Sequence, residues 1–296
     1  MAMQMTKKMM KEQYTLQGVS SKEGAFDPMK MREASDASML LLPPEKGVRF
    51  ISCKLGILEA EECLRQNAKP GAVLFYIHGG GLVAGNAQTS RYYASILANA
   101  SGWPVYTASY RLAPEHVYPA FTDDCLSGYE ALCEKYPDTP IVLLGESGGA
   151  YLSVMTALLA KEKGLRLPAA VVAYSVIIDI EGKIDRSANE ATDVSLSSHA
   201  LNELWKLAFP DEALRAEASP VTHDFTGFPP LLLAGDADEI LAADSEKLAE
   251  IAEAFRVKVW AKGYDDAFHA FPTLGHMLPE SEEVLRETIA FILAQL

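Results

Sequence analysis

From about residue 48 to the C-terminus, short apolar runs alternate with segments whose apolar residues recur at i, i+3 and i+4. The first pattern predicts strands and the second amphipathic helices, together a βαβ-built and mostly parallel sheet. Residues 48–53 and 60–65 read as a leading antiparallel pair with a turn near Gly56. Residues 72–78 (AVLFYIH) are apolar almost throughout, as expected of a strand buried on both faces. Similar runs follow at 104–110, 140–144, 169–178, 230–234 and 256–261, which makes eight strands. Helical spacing occupies 86–100, 121–136, 149–163, 244–255 and 281–296, with Asp244 and Ser281 standing where N-caps belong.

Two segments break the rhythm. Residues 1–45 are rich in methionine, with a helix expected near 7–15 and a polar linker after it. Residues 181–220 form a second interruption, with a helix expected over 199–208. Such pieces build lids over active sites, or else an N-terminal arm and a long connection. Composition excludes several functions. Of 296 residues, 49% are apolar and 22% charged, enough for a large core. A net charge of −14 argues against nucleic acid and anionic lipid, both of which reward basic patches. No apolar run approaches the roughly 20 residues of a membrane span, and none follows Lys7, Lys8 and Lys11 as a secretory signal would require. A cytoplasmic protein is expected, with Cys53, Cys63, Cys125 and Cys133 reduced and too scattered for a zinc site. A homodimer is a further possibility.

The chemistry is concentrated in a few short stretches. Gly145-Glu146-Ser147-Gly148-Gly149 matches G-x-S-x-G between an apolar strand and a helical pattern. A nucleophilic serine needs that sharp strand-to-helix turn to thrust its hydroxyl into the open. His78-Gly79-Gly80-Gly81 ends an earlier strand and supplies backbone N–H groups for an oxyanion, with the Gly148 amide as a further donor. An acid and then a histidine should follow the serine along the chain. The stretch after residue 234 offers Asp236, Asp238, Glu239 and Asp244, the last reading best as a helix cap. Of six histidines, His269 lies between the last apolar strand and the final helix, with His276 as runner-up. Arg111, Glu115 and Asp124 are read as a structural charge cluster. Tyr92, Tyr93, Trp205 and Phe209 are candidates for the acyl pocket, although helical aromatics more often belong to the core.

HGGG, then Tyr110-Arg-Leu-Ala-Pro-Glu115, then GESGG resemble the hormone-sensitive-lipase-like esterases (bacterial family IV), over about residues 70–275. The resemblance implies an α/β-hydrolase fold with helices on both sheet faces. It also implies a small helical cap, built from an N-terminal segment (1–45) and an insertion (about 181–220) on a 46–296 core. The family usually has GDSAGG, so Glu146 and Gly148 depart from it while keeping acidity and small size. The family's G-x-x-D position falls on Asp238 and its H-x-F-P pattern on His269. The activity implied is carboxylesterase action on short acyl esters through Ser147, His269 and Asp238, with Gly80, Gly81 and Gly148 as the oxyanion hole. This chemistry needs no metal or organic cofactor. A deacetylase or amidase would use the same triad. A non-catalytic receptor of the kind that resembles this family would be expected to lack the histidine that stands here at 269.

Overall fold

The computed structural model describes residue 9 and residues 27–68 and 71–296. Its strands are β1 (Val48–Leu55), β2 (Leu58–Arg65), β3 (Val73–Ile77), β4 (Val105–Ala108), β5 (Ile141–Glu146), β6 (Ala170–Tyr174), β7 (Leu231–Asp236) and β8 (Val259–Tyr264). They form one sheet in the order β1-β2-β4-β3-β5-β6-β7-β8. β1 pairs antiparallel with β2 and β2 with β4, while every other neighbouring pair is parallel.

Every residue of β3, β5 and β6 is buried, because helices cover both faces. Alternation along β3 divides the core in two. Val73, Phe75 and Ile77 pack on one side with Leu152 and Met155, and Leu74 and Tyr76 on the other with Ile96, Leu97 and Ile292. The helices are α1 (Pro28–Leu40), α2 (Arg91–Ser101), α3 (Ala120–Lys135), α4 (Gly148–Glu162), α5 (Ser198–Ala208), α6 (Ala242–Ala254) and α7 (Pro279–Leu293). Among the described residues, no helix is long and apolar enough to cross a membrane.

The N-terminal segment differs from the sequence reading. Residues expected to form a polar linker include α1, whose start is fixed by Asp27: its Oδ1 accepts from the Met29 and Lys30 amides, with Pro28 in the first helical position. The helix expected near 7–15 lies, apart from residue 9, outside the described residues. Two expected caps are also displaced inward. Helix α6 begins at Ala242 and α7 at Pro279, so Asp244 and Ser281 sit in first turns and are fully buried. Ser281 donates to Phe271 O at 2.5 Å. Asp244 accepts from Ile178 N at 2.9 Å and pairs with buried Arg186 through Nε at 2.7 Å and Nη2 at 2.8 Å.

That pair ties the root of the 181–220 insertion to the core. Burying one charge without its partner is costly, so Arg186→Ala is expected to destabilise the fold by about 3–5 kcal/mol. Denaturant midpoints would measure it, and a change under about 0.5 kcal/mol would show that the pair does not hold the insertion.

Candidate active site

Ser147, His269 and the HGGG loop come together beyond the C-terminal ends of the parallel strands. β3 pairs with β5 so that Ile77 lies opposite Gly145, which puts the His78–Gly81 loop beside Glu146 and Ser147. Ser147 takes φ 54°, ψ −122°, a conformation rare outside glycine, and its N–H donates to Tyr174 O at 2.9 Å. The elbow needs glycine two residues to either side of the serine. A Cβ on Gly149 would stand 2.0 Å from Ile77 O.

The HGGG loop rests on a second layer. The His78 ring stacks on Tyr110 (centroids 4.3 Å apart, planes 14°), and the Tyr110 hydroxyl donates to His78 O at 2.8 Å. His78 Nδ1 bonds Gly79 O, and burial pulls its pKa down to about 4, so this ring stays neutral. Gly79 N donates to Glu146 Oε1 at 2.6 Å. The carboxyl of Glu146 is buried beside the Tyr76 hydroxyl, and burial raises its pKa to about 7.

Glu146 therefore links the HGGG loop to the turn that carries Ser147. Glu146→Gln keeps an acceptor for Gly79 and is expected to hold kcat within about threefold of wild type. Glu146→Ala removes it and is expected to lower kcat by about 10- to 100-fold. Equal kcat values for the two variants would show that the loop does not depend on this bond.

The third group comes from the loops after β7 and β8. His269 is 6% exposed, and its Nδ1–H donates to Glu239 Oε2 at 2.6 Å. Glu239 is fully buried, with Oε1 accepting from Asp236 N at 3.2 Å. The bond to His269 thus goes to Glu239 and not to Asp238, one residue earlier. Asp238 is half-buried in the turn, where its amide meets Asp236 Oδ1 and its carbonyl accepts from Thr192. Glutamate's extra methylene lets its side chain reach back from the far end of the turn to cap the Asp236 amide and still meet the histidine. Gly235 makes room for it, since a Cβ there would lie 2.5 Å from Glu239 Oε1. Burial pulls down the His269 pKa, but the Glu239 hydrogen bond and the charges of Glu239, Asp193 and Glu146 outweigh it and hold it above 6.5. His276, the alternative base, is half exposed and pairs with Glu45 and Glu282.

Ser147, His269, Glu146 and Gly79–Gly81 line one cavity of about 480 Å³. Its other walls are largely apolar: Met31, Met39 and Leu42 from in and just after α1, and Leu196, Leu201 and Leu204 from the insertion. The aromatic candidates Tyr92, Tyr93, Trp205 and Phe209 are buried but do not line it. Helix α1 is fastened over the cavity by Arg32, which bonds both oxygens of Glu115 (2.7 and 2.8 Å) as well as Ala113 O and Val83 O. Asp36 adds a bond from Gly85 N at 2.8 Å. Glu115 is thus the anchor of α1. Only Arg111 and Asp124 of the expected charge cluster pair with each other, at 2.7 Å.

Residues 74–273 match the model of a family described as having the α/β-hydrolase fold. A crystal structure of a hormone-sensitive lipase from a metagenome library superposes with a TM-score of 0.90 at 28% identity, each chain covered to 99%. The chain belongs to the hormone-sensitive-lipase-like esterases of the α/β-hydrolase superfamily. An esterase of that bacterial family also gives a TM-score of 0.90, at 27% identity, with 98% of this chain and 97% of that one covered. An acetyl-hydrolase of Streptomyces hygroscopicus is 31% identical over 236 residues, 78% of each chain. An esterase of Acinetobacter venetianus is 29% identical over 268 residues, 89% of this chain and 88% of its own. This family member is accordingly a carboxylic ester hydrolase.

Proposed function

We propose that this enzyme hydrolyses short-chain acyl esters through a Ser147–His269–Glu239 triad and a covalent acyl-enzyme. The observation that carries the reading is the 2.6 Å bond between buried Glu239 and His269, in a histidine that shares its cavity with Ser147 and the HGGG loop. His269 Nε2 takes the serine proton as Oγ attacks the ester carbonyl. The amides of Gly80, Gly81 and Gly148 receive the oxyanion, and His269 returns the proton to the departing alcohol. Water then repeats the sequence on the acyl-enzyme. Helix α1 and the 181–220 insertion serve as the cap over a 46–296 core, supported by the leucines and methionines they contribute to the cavity.

The size and apolar walls of the cavity favour acyl groups of about C2 to C8. A series of nitrophenyl esters from acetate to palmitate, with an acetanilide beside them, tests this. Turnover falling beyond about C8 and a slow anilide are expected. Preference for palmitate would contradict the chain-length reading, and a faster anilide would make the enzyme an amidase on the same triad.

The pH dependence follows from His269. Its neutral form is the base, so kcat/KM falls as pH drops through its pKa, and the limb is expected above pH 6.5. Glu146 titrates nearby, at about 7, so the profile of Glu146→Gln separates the two groups. Retention of the limb in that variant assigns it to His269, and its disappearance would assign it to Glu146.

A further inference from the structure

The turn that carries Glu239 is held from outside by the insertion. Residues 237–241 join β7 to α6, and each of the first four has a backbone group bonded to a side chain from residues 189–193. Asn189 Nδ2 donates to Ala237 O at 2.8 Å and to Glu239 O at 2.9 Å. Thr192 Oγ1 donates to Asp238 O at 3.0 Å, and Asp193 Oδ2 accepts from Ile240 N at 2.8 Å. The bonded stretch is itself wound tightly, with Asp193 N donating to Asn189 O at 2.9 Å.

We infer that Asn189, Thr192 and Asp193 form a clasp that positions Glu239 against His269, making the insertion part of the catalytic apparatus as well as its cover. This rests on Glu239 being the triad acid. Glutamate reaches His269 through a flexible side chain, and its intra-turn bond to Asp236 N fixes the carboxylate only relative to the turn. The histidine belongs to a different loop, so alignment depends on what fixes the turn itself. Catalytic groups misplaced by about 1 Å commonly cost about 100-fold in rate.

Asp193 extends the device toward the substrate. Its other oxygen accepts from the amides of Ser195 and Leu196 at 2.7 and 2.8 Å, and Leu196 lines the cavity. One buried carboxylate therefore joins the acid's turn to the cavity wall. The charged groups that bear on His269 are Glu239 beyond β7, Asp193 in the insertion and Glu146 at the end of β5. Asn189 itself does not line the cavity, and is a positioning residue.

The test combines Asn189→Ala and Asn189→Asp with Glu239→Gln. Both Asn189 variants lose the two donated bonds, and the aspartate keeps the shape of the side chain. Each is expected to lower kcat about 10- to 100-fold with KM within about threefold, and Asn189→Ala, which adds no charge, to move the acid limb of kcat/KM to lower pH as His269 loses its partner's support. Adding Asn189→Ala to Glu239→Gln should lower kcat no further, because the clasp acts through the carboxylate already removed. That cycle separates positioning from general loosening of the fold, which would cost the same factor in either background. Equal losses in both backgrounds, or an unmoved limb, would overturn the clasp and leave Glu239 as the acid. Wild-type kcat in Glu239→Gln would overturn the acid assignment, and the clasp with it.

Discussion

Ser147→Ala is expected to reduce kcat on nitrophenyl acetate by about 10⁴-fold or more, with an unfolding midpoint close to that of wild type. The loss is large because no neighbouring group replaces the attacking oxygen. The fold should tolerate the change because the elbow does not depend on the hydroxyl. Its backbone is held by the Ser147 N–H bond to Tyr174 O and by the close passage of Gly149 beneath β3. Ser147 is 8% exposed and lines the cavity. The oxyanion loop and His269 remain in the alanine variant, so the rate left over reports their contribution alone. A variant keeping a tenth of wild-type turnover would require a different nucleophile.

The second large effect distinguishes two adjacent acids. Glu239→Gln is expected to cost about 10³- to 10⁴-fold in kcat, since an amide neither stabilises the imidazolium by charge nor fixes its tautomer. Asp238→Asn is expected to stay within about threefold of wild type. The pH profile gives an independent reading. With the glutamate neutralised, burial is left to pull the His269 pKa down, so the residual activity should persist to lower pH than in wild type. A dead Asp238→Asn enzyme beside an active Glu239→Gln enzyme would return the acid to position 238.

The hydrogen bond of His269 to Glu239, one residue beyond the acid that the family resemblance implies, shows where sequence reading loses its grip. The elbow and the HGGG loop are legible because each is a local device, its glycines and its serine within five residues of one another at the end of an apolar strand. The strands are legible for the same reason, since burial on both faces leaves continuous apolar runs. The acid has no such signature. A turn with Asp236, Asp238, Glu239 and Asp244 offers several carboxylates, and only the path of the backbone after β7 decides which one reaches a histidine 30 residues away.

Asp244 failed as a cap on similar grounds. Its partner Arg186 lies 58 residues upstream, so the sequence around residue 244 shows a polar residue opening a helix but not the buried cation facing it. Helix α1 was hidden differently, because only Met31 of its thirteen residues is buried and its apolar periodicity is weak. Asp27 and Pro28 were the available signals. Its anchoring through Arg32 to Glu115 connects two motifs 83 residues apart, which no spacing rule anticipates.

Ser147 is expected to become acylated with His269 as its base. Rapid mixing with excess nitrophenyl acetate, followed by acid quench and peptide mass mapping, tests it in one measurement. A burst approaching one equivalent of nitrophenolate, with the acetyl group on the peptide bearing Ser147 and neither signal in His269→Ala, is the predicted result. Steady nitrophenolate release without a burst, and an acetyl group found on another residue or on none under quench conditions that preserve esters, would contradict it.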